Sequence, residues 1–162
     1  MPSDLLDLSR RVGVALVERG SRVCAAESCT GGLLLSTLTD CPGSSAYVAG
    51  GVVSYSNEAK MRVLGVREDT LIAHGAVSRE VVAEMAGGVL ALFGTDYALS
   101  VTGIAGPGGG TAEKPVGLTF IGLAGADGLL RVERFVWDED RISNKVASVE
   151  TAMEILLRAL HD

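Results

Sequence analysis

The chain has 162 residues, the length of one ordinary domain, and its formal net charge is −6. That charge argues against a broad nucleic-acid surface, which needs Lys and Arg to displace counterions, but leaves room for one small anion held by backbone N–H groups. Aromatic residues make up 4% and hydrophobic residues 48% of the chain, so the core must consist mainly of Val, Leu, Ala and Ile. No apolar stretch approaches the roughly 20 residues that cross a bilayer, so no membrane partner and a cytoplasmic location are expected.

In chain order, "MPSDLLDLSRRVG" carries acids and no apolar signal core and reads as part of the fold. Leu5, Leu8, Val12 and Leu16 keep a helical rhythm that Gly20 stops. "RVCAAES" reads as a short strand, and "CTGGLLLSTLTD" as a helix starting at the Thr30-Gly31-Gly32 turn and ending before Pro42. "AYVAGGVVSYS" reads as a buried strand whose glycine pair implies a bulge or close backbone approach. "NEAKMRVLGV" and "REDTLIAHG" are predicted short helices. Ser78 is the predicted N-cap of the next helix, with Glu80 or Glu84 favouring its first turn and Gly94 closing it. "DYALSVTG" is a strand that feeds the long loop "IAGPGGGTAEKP". A hairpin turning at "GADG" follows, and a last helix runs from about Arg141 to Leu160. The predicted architecture is a single α/β domain over 1–162: a three-layer α/β/α sandwich with a mixed, mostly parallel sheet and a late antiparallel hairpin.

In such sheets ligands bind beyond the C-terminal ends of parallel strands. Three polar, glycine-rich segments fall at those positions: Glu27 to Gly32, Tyr55 to Lys60, and Thr102 to Thr111. Ser28 either caps the helix that follows or is a nucleophile served by the N–H groups there. A serine needs a base. His74 reads as a helix-end residue beside Gly75, and His161 is penultimate. Lys60 is then either a solvated surface lysine or a base whose pKa is lowered by burial. Tyr55 either packs or orients the reacting hydroxyl. The glycines of "VTGIAGPGGGT", with Thr102 and Thr111, form a candidate anion cradle that matches neither a Walker loop nor a dinucleotide fingerprint. Cys24, Cys29 and Cys41 lack zinc-finger spacing and read as free thiols, so neither metal nor cofactor is predicted. Cys29, beside Ser28, is a rival nucleophile.

The stretches from "AESCTGG" through "YSNEAKMRVLGV", "HGAVSREVVAEMA" and "VTGIAGPGGGTAEKPVGLTFIGLA" closely resemble the CinA C-terminal domain family, whose members include nicotinamide-nucleotide amidohydrolases. The resemblance implies metal-free hydrolysis of the carboxamide of nicotinamide mononucleotide to nicotinate mononucleotide and ammonia. It implies Ser28 as nucleophile, Lys60 as base and Tyr55 as a third catalytic residue. It further implies a substrate site of Glu27, Thr30, Gly31, Gly32, Ser44, Ser45, Thr102, Gly103, Gly106, Gly108, Gly109 and Arg141. The family pattern places a further arginine shortly after Arg141, where this chain has Asn144 and Lys145. Rival readings are a non-catalytic nucleotide-binding module linked to competence or DNA damage, and a subunit active only in an assembly. The apolar bias favours a homo-oligomer.

Overall fold

A computed structural model describes residues 3–162. The elements in chain order are α1 (Ser3–Arg19), β1 (Val23–Glu27), α2 (Leu33–Thr39), a 3-10 turn (Ser44–Ala46), β2 (Val48–Val53), α3 (Asn57–Leu64), α4 (Glu68–His74), α5 (Arg79–Phe93), β3 (Tyr97–Gly103), β4 (Leu118–Gly125), β5 (Leu130–Val136) and α6 (Arg141–His161). Among the described residues no helix is long and apolar enough to cross a membrane.

The strands form one sheet in the order β2-β1-β3-β4-β5. β1 pairs in parallel with β2 and β3, whereas β4 runs antiparallel to β3 and β5. Residues alternate between the two faces of each strand, and two separate cores result. Val23, Ala25, Leu99, Val101, Ile121 and Leu123 face the core shared with α1, α2 and α6. Cys24, Ala26, Ala98 and Ala124 face the core under α4, α5 and the end of α3. The three layers are therefore those the sequence predicts.

Two expectations need correction. β2 is an edge strand and only half-buried, because nothing pairs with its outer side within the sheet. Its apolar composition reflects contact with both helical layers rather than a central position. Glu84 does not serve the first turn of its own helix. Its carboxylate crosses to α4, accepting from Arg67 N at 2.8 Å and Thr70 Oγ1 at 2.7 Å. Ser78 does cap α5, accepting from Val81 N, and Gly94 ends that helix in the left-handed region.

The glycine pair in β2 carries the predicted irregularity. Val23 pairs with Val48 but Cys24 pairs with Gly50, so Ala49 is an extra residue, a bulge. A Cβ on Gly51 would lie 2.3 Å from Ala25 O, so only glycine lets β2 approach β1 there. All three cysteines are free and buried.

Parallel pairing sends β1, β2 and β3 to the same edge of the sheet. β5 ends there too, since Val136 pairs with Leu118 beside Gly103 and Thr119. Four chain segments meet at this edge: the turn after β1, the start of α3, the glycine loop after β3, and the start of α6.

Candidate active site

The meeting point is a cleft of about 280 Å³ lined by Ser28, Lys60, Tyr55, Thr102, the glycine loop and Arg141. That volume lies at the small end of small-molecule sites and suits a compact ligand. Ser28 is tied down by its own N–H, which donates to Val101 O at 3.0 Å. Lys60 sits in the first turn of α3, whose start is set by Ser56 accepting from Ala59 N. This turn points the lysine inward: its side chain is 1% exposed, and Nζ lies 2.9 Å from Ser28 Oγ. Nζ also donates to Ser54 O at 2.8 Å and to Tyr55 O at 3.3 Å.

No carboxylate contacts Lys60 Nζ among the described residues. Burial pushes the Lys60 pKa below the usual lysine value, and the one acidic group opposing this shift is Cys29. Burial pushes Cys29 itself up to about 11, so at neutral pH it is an uncharged thiol and does not hold a proton on Lys60. A neutral amine has two N–H groups and one lone pair. Its three neighbours are two carbonyls and a serine hydroxyl, which is the arrangement that lets the lone pair accept the Ser28 proton. The same high pKa makes Cys29 a poor thiolate source.

Glu27 is fully buried and points away from the cleft. Its carboxylate accepts from Gly32 N at 3.0 Å, Leu34 N at 3.1 Å and Leu35 N at 2.9 Å. It caps α2, because a helix start leaves its first N–H groups without intrahelical partners. Gly31 N donates to Ser28 O at 3.1 Å, and the N–H groups next to Ser28 are those of Thr30 and of Cys29, the latter also facing its own thiol.

The family model of the CinA C-terminal domain matches residues 5–160. The chain belongs to the CinA C-terminal domain family. A CinA-like protein of Chlorobaculum tepidum is 54% identical over 151 residues, which are 91% of this chain and 36% of that protein. The nicotinamide-nucleotide amidohydrolase PncC of Escherichia coli is 50% identical over 148 residues, 90% of each chain. The crystal structure of the competence/damage inducible protein CihA from Agrobacterium tumefaciens superposes with a TM-score of 0.96 at 44% identity, covering 100% of this chain and 98% of that one. The chain spans 36% to 38% of the length of the CinA-like relatives it matches.

In this CinA domain the predicted site residues do not all converge. Ser44 and Ser45 precede β2 and lie at the opposite edge of the sheet, roughly 16 Å away at a strand rise of 3.3 Å per residue. Thr30 is buried beside Ser28 without lining the cleft, and Thr111 Oγ1 accepts from Lys114 N outside it. Thr102 lines the cleft with its hydroxyl spent on Ala76 O at 2.9 Å. Tyr55 is 63% exposed, and its hydroxyl accepts from Arg141 Nη2 at 3.3 Å rather than meeting Ser28 or Lys60. Arg141 Nη1 donates to Gly106 O at 2.7 Å, and Asn144 Nδ2 donates to Ala105 O at 3.1 Å, so α6 secures the glycine loop. Gly103 is required for close packing, since a Cβ there would lie 2.7 Å from Leu118 O and 3.1 Å from Cys29 Sγ. Lys145 Nζ lies 3.8 Å from the Cβ position of Gly31, near the turn that carries Ser28. Ala76 and Val77 also line the cleft. They belong to "HGAVS", a stretch whose sequence carries a helix stop and a cap but no chemical signal.

Proposed function

We propose that this domain hydrolyses the carboxamide of nicotinamide mononucleotide through a serine–lysine pair. The observation that carries the reading is the buried Lys60 Nζ, 2.9 Å from Ser28 Oγ with no carboxylate contact. The relation to E. coli PncC, at 50% identity over 90% of each chain, supports the substrate.

Ser28 Oγ bonds to the amide carbon as its proton passes to neutral Lys60. The N–H groups of Cys29 and Thr30 hold the oxygen that becomes negative. The C–N bond then breaks, and the amine leaves as ammonia with the proton from Lys60. Water attacks the acyl-enzyme, giving one proton to Lys60, which returns it to Ser28 as nicotinate mononucleotide departs. Arg141 and the glycine loop hold phosphate and ribose, fixing the amide beside Ser28. Arg141 has only uncharged partners among the described residues, a carbonyl and a hydroxyl, so an anionic ligand adds charge pairing that the protein itself does not supply.

The test is ammonia release from nicotinamide mononucleotide in the presence of a chelator. The wild type and Cys29→Ala release ammonia, and a folded Ser28→Ala does not. Nucleotide binding without ammonia release from the wild type would overturn hydrolysis in favour of a binding module.

A further inference from the structure

Ser54 follows the last residue of β2 and continues its ladder, donating from its N–H to Glu27 O at 2.8 Å. Side chains alternate along a strand, so its hydroxyl falls on the face of Val52, which packs into the core beneath α4 and α5. Lys60 enters from α3, and the Ser54 carbonyl already takes one of its N–H groups at 2.8 Å. The Ser54 hydroxyl itself is fully buried and has no hydrogen-bonding partner among the described residues. Thr30 Oγ1 and Asn144 Oδ1 share that condition, but neither residue bonds to Lys60. A buried hydroxyl without a partner is costly, unless another state of the neighbouring amine uses it.

The hydrogen-bonding capacity of Nζ identifies that state. In neutral Lys60 the two N–H groups meet the carbonyls of Ser54 and Tyr55, and the lone pair meets the Ser28 hydroxyl. Once Nζ takes the Ser28 proton it has three N–H groups, while Ser28 Oγ, now bonded to the acyl carbon, is a weak acceptor. We propose that the Ser54 hydroxyl then turns to accept the third N–H, making Ser54 a positioning residue for the protonated base. The proton stays on Lys60 until ammonia carries it away, and Ser54 neither gains nor loses one. This assignment rests on the serine–lysine reading of the site.

The other charged and titratable groups around Lys60 are engaged or distant from Nζ. From the end of β1 and the turn after it come the Glu27 carboxylate, held by three N–H groups, and the Cys29 thiol, raised to about 11 by burial. The Tyr55 hydroxyl is on Arg141, and Lys145 stands near Gly31. On α3 itself Glu58 and Arg62 pair with each other at 3.0 Å, and Glu84 of α5 is taken by Arg67 and Thr70. Removing the Ser54 hydroxyl therefore weakens the protonated form of Lys60 alone.

The Lys60 titration is followed by the carbon-13 shift of Cε on a Ser28→Ala background, where no Ser28 hydroxyl competes for the third N–H, without a further change, with Ser54→Ala and with Ser54→Thr, and kcat and KM for nicotinamide mononucleotide are measured for the same Ser54 changes with Ser28 in place. Ser54→Ala removes only a hydroxyl without a partner, so it folds, which its thermal unfolding checks. The expected result in Ser54→Ala is a midpoint lower by about half a pH unit or more, at least a roughly threefold loss of proton affinity. Its kcat falls with KM nearly unchanged, and Ser54→Thr restores both the midpoint and kcat. A midpoint with Ser54→Ala equal to or above that of Ser28→Ala alone overturns the assignment. A midpoint that depends on Ser54 in this way, with a wild type that releases no ammonia, overturns the hydrolase reading and leaves the role of Ser54 standing.

Discussion

Arg141 Nη2 donates to the Tyr55 hydroxyl at 3.3 Å, across 86 residues of sequence, while Nη1 of the same guanidinium donates to Gly106 O at 2.7 Å. Three walls of the cleft are thereby joined through one side chain, and the phenol is committed away from Ser28. Tyr55→Phe is expected to leave kcat unchanged and to raise KM for nicotinamide mononucleotide about tenfold or less, the worth of one solvent-exposed hydrogen bond from a charged donor. A proton relay through the phenol would instead cost about a hundredfold in kcat. Steady-state kinetics of that single variant separate the two roles.

On the proposed mechanism Lys60 sets both activity and stability as functions of pH. Its folded pKa lies below the unfolded value of about 10.4. Between those two values the unfolded chain binds more protons, so stability rises as pH increases through this window and falls as pH drops. The base form is the neutral one, so the rate also rises with pH through the folded pKa. Lys60→Met lowers kcat by roughly a hundredfold to ten-thousandfold. It also removes the lysine's contribution to the stability slope, so its stability relative to the wild type is greatest at low pH. Urea unfolding at several pH values measures the slope, and equal slopes would contradict the assignment.

Glu27 holds the start of α2 through three N–H groups. Glu27→Ala strands three N–H groups, one buried and two partly buried, and is expected to destabilise the fold by about 3 kcal/mol in urea unfolding. Saturating nucleotide will not selectively rescue it. A variant with normal stability but a greatly raised KM would place Glu27 on the ligand instead.

Two adjacent glycines in α5 should respond with opposite signs. Gly87 has nothing within 4 Å of its Cβ position, so Gly87→Ala gains about 0.5–1 kcal/mol of helix propensity. A Cβ on Gly88 would stand 1.9 Å from Leu64 O, at the end of the helix that carries Lys60. Gly88→Ala is expected to cost about 1–3 kcal/mol and to lower kcat by displacing α3. Paired thermal unfolding curves decide both.

Much of this site was legible before any coordinates. A strand followed at once by a polar, glycine-rich turn marks a ligand edge in an α/β sheet, and the structure brings Ser28, Lys60 and residues of the Thr102–Gly109 loop to one cleft at that edge. Ser44 and Ser45 follow the serine motif closely along the chain, but adjacency in sequence does not say which edge of the sheet a residue occupies. The strand register decides that, and it sends "PGSS" to the far edge. Glu27 reads as a substrate residue because a carboxylate before a short helix looks the same whether it faces ligand or bends back onto N–H groups. The contact between Arg141 and Tyr55 depends on β5 returning to the β3 edge, which no local pattern encodes. Ser54 carried no signal at all, since its role lies in a missing partner.

The bulge at Ala49 gives the one-residue offset a direct consequence for chemistry. Everything downstream in β2 owes its facing to that single extra residue. Deleting Ala49 would turn Val52 outward and Val53 inward, and would carry Ser54 and the start of α3 round with them. Lys60 would then leave the β1 turn while the sheet kept most of its hydrogen bonds. The spacing between Ser28 and Lys60 is thus written into strand pairing, so on the proposed mechanism turnover acts as a gauge of sheet alignment: a chain that pairs β2 one step out of phase can fold compactly and still be silent.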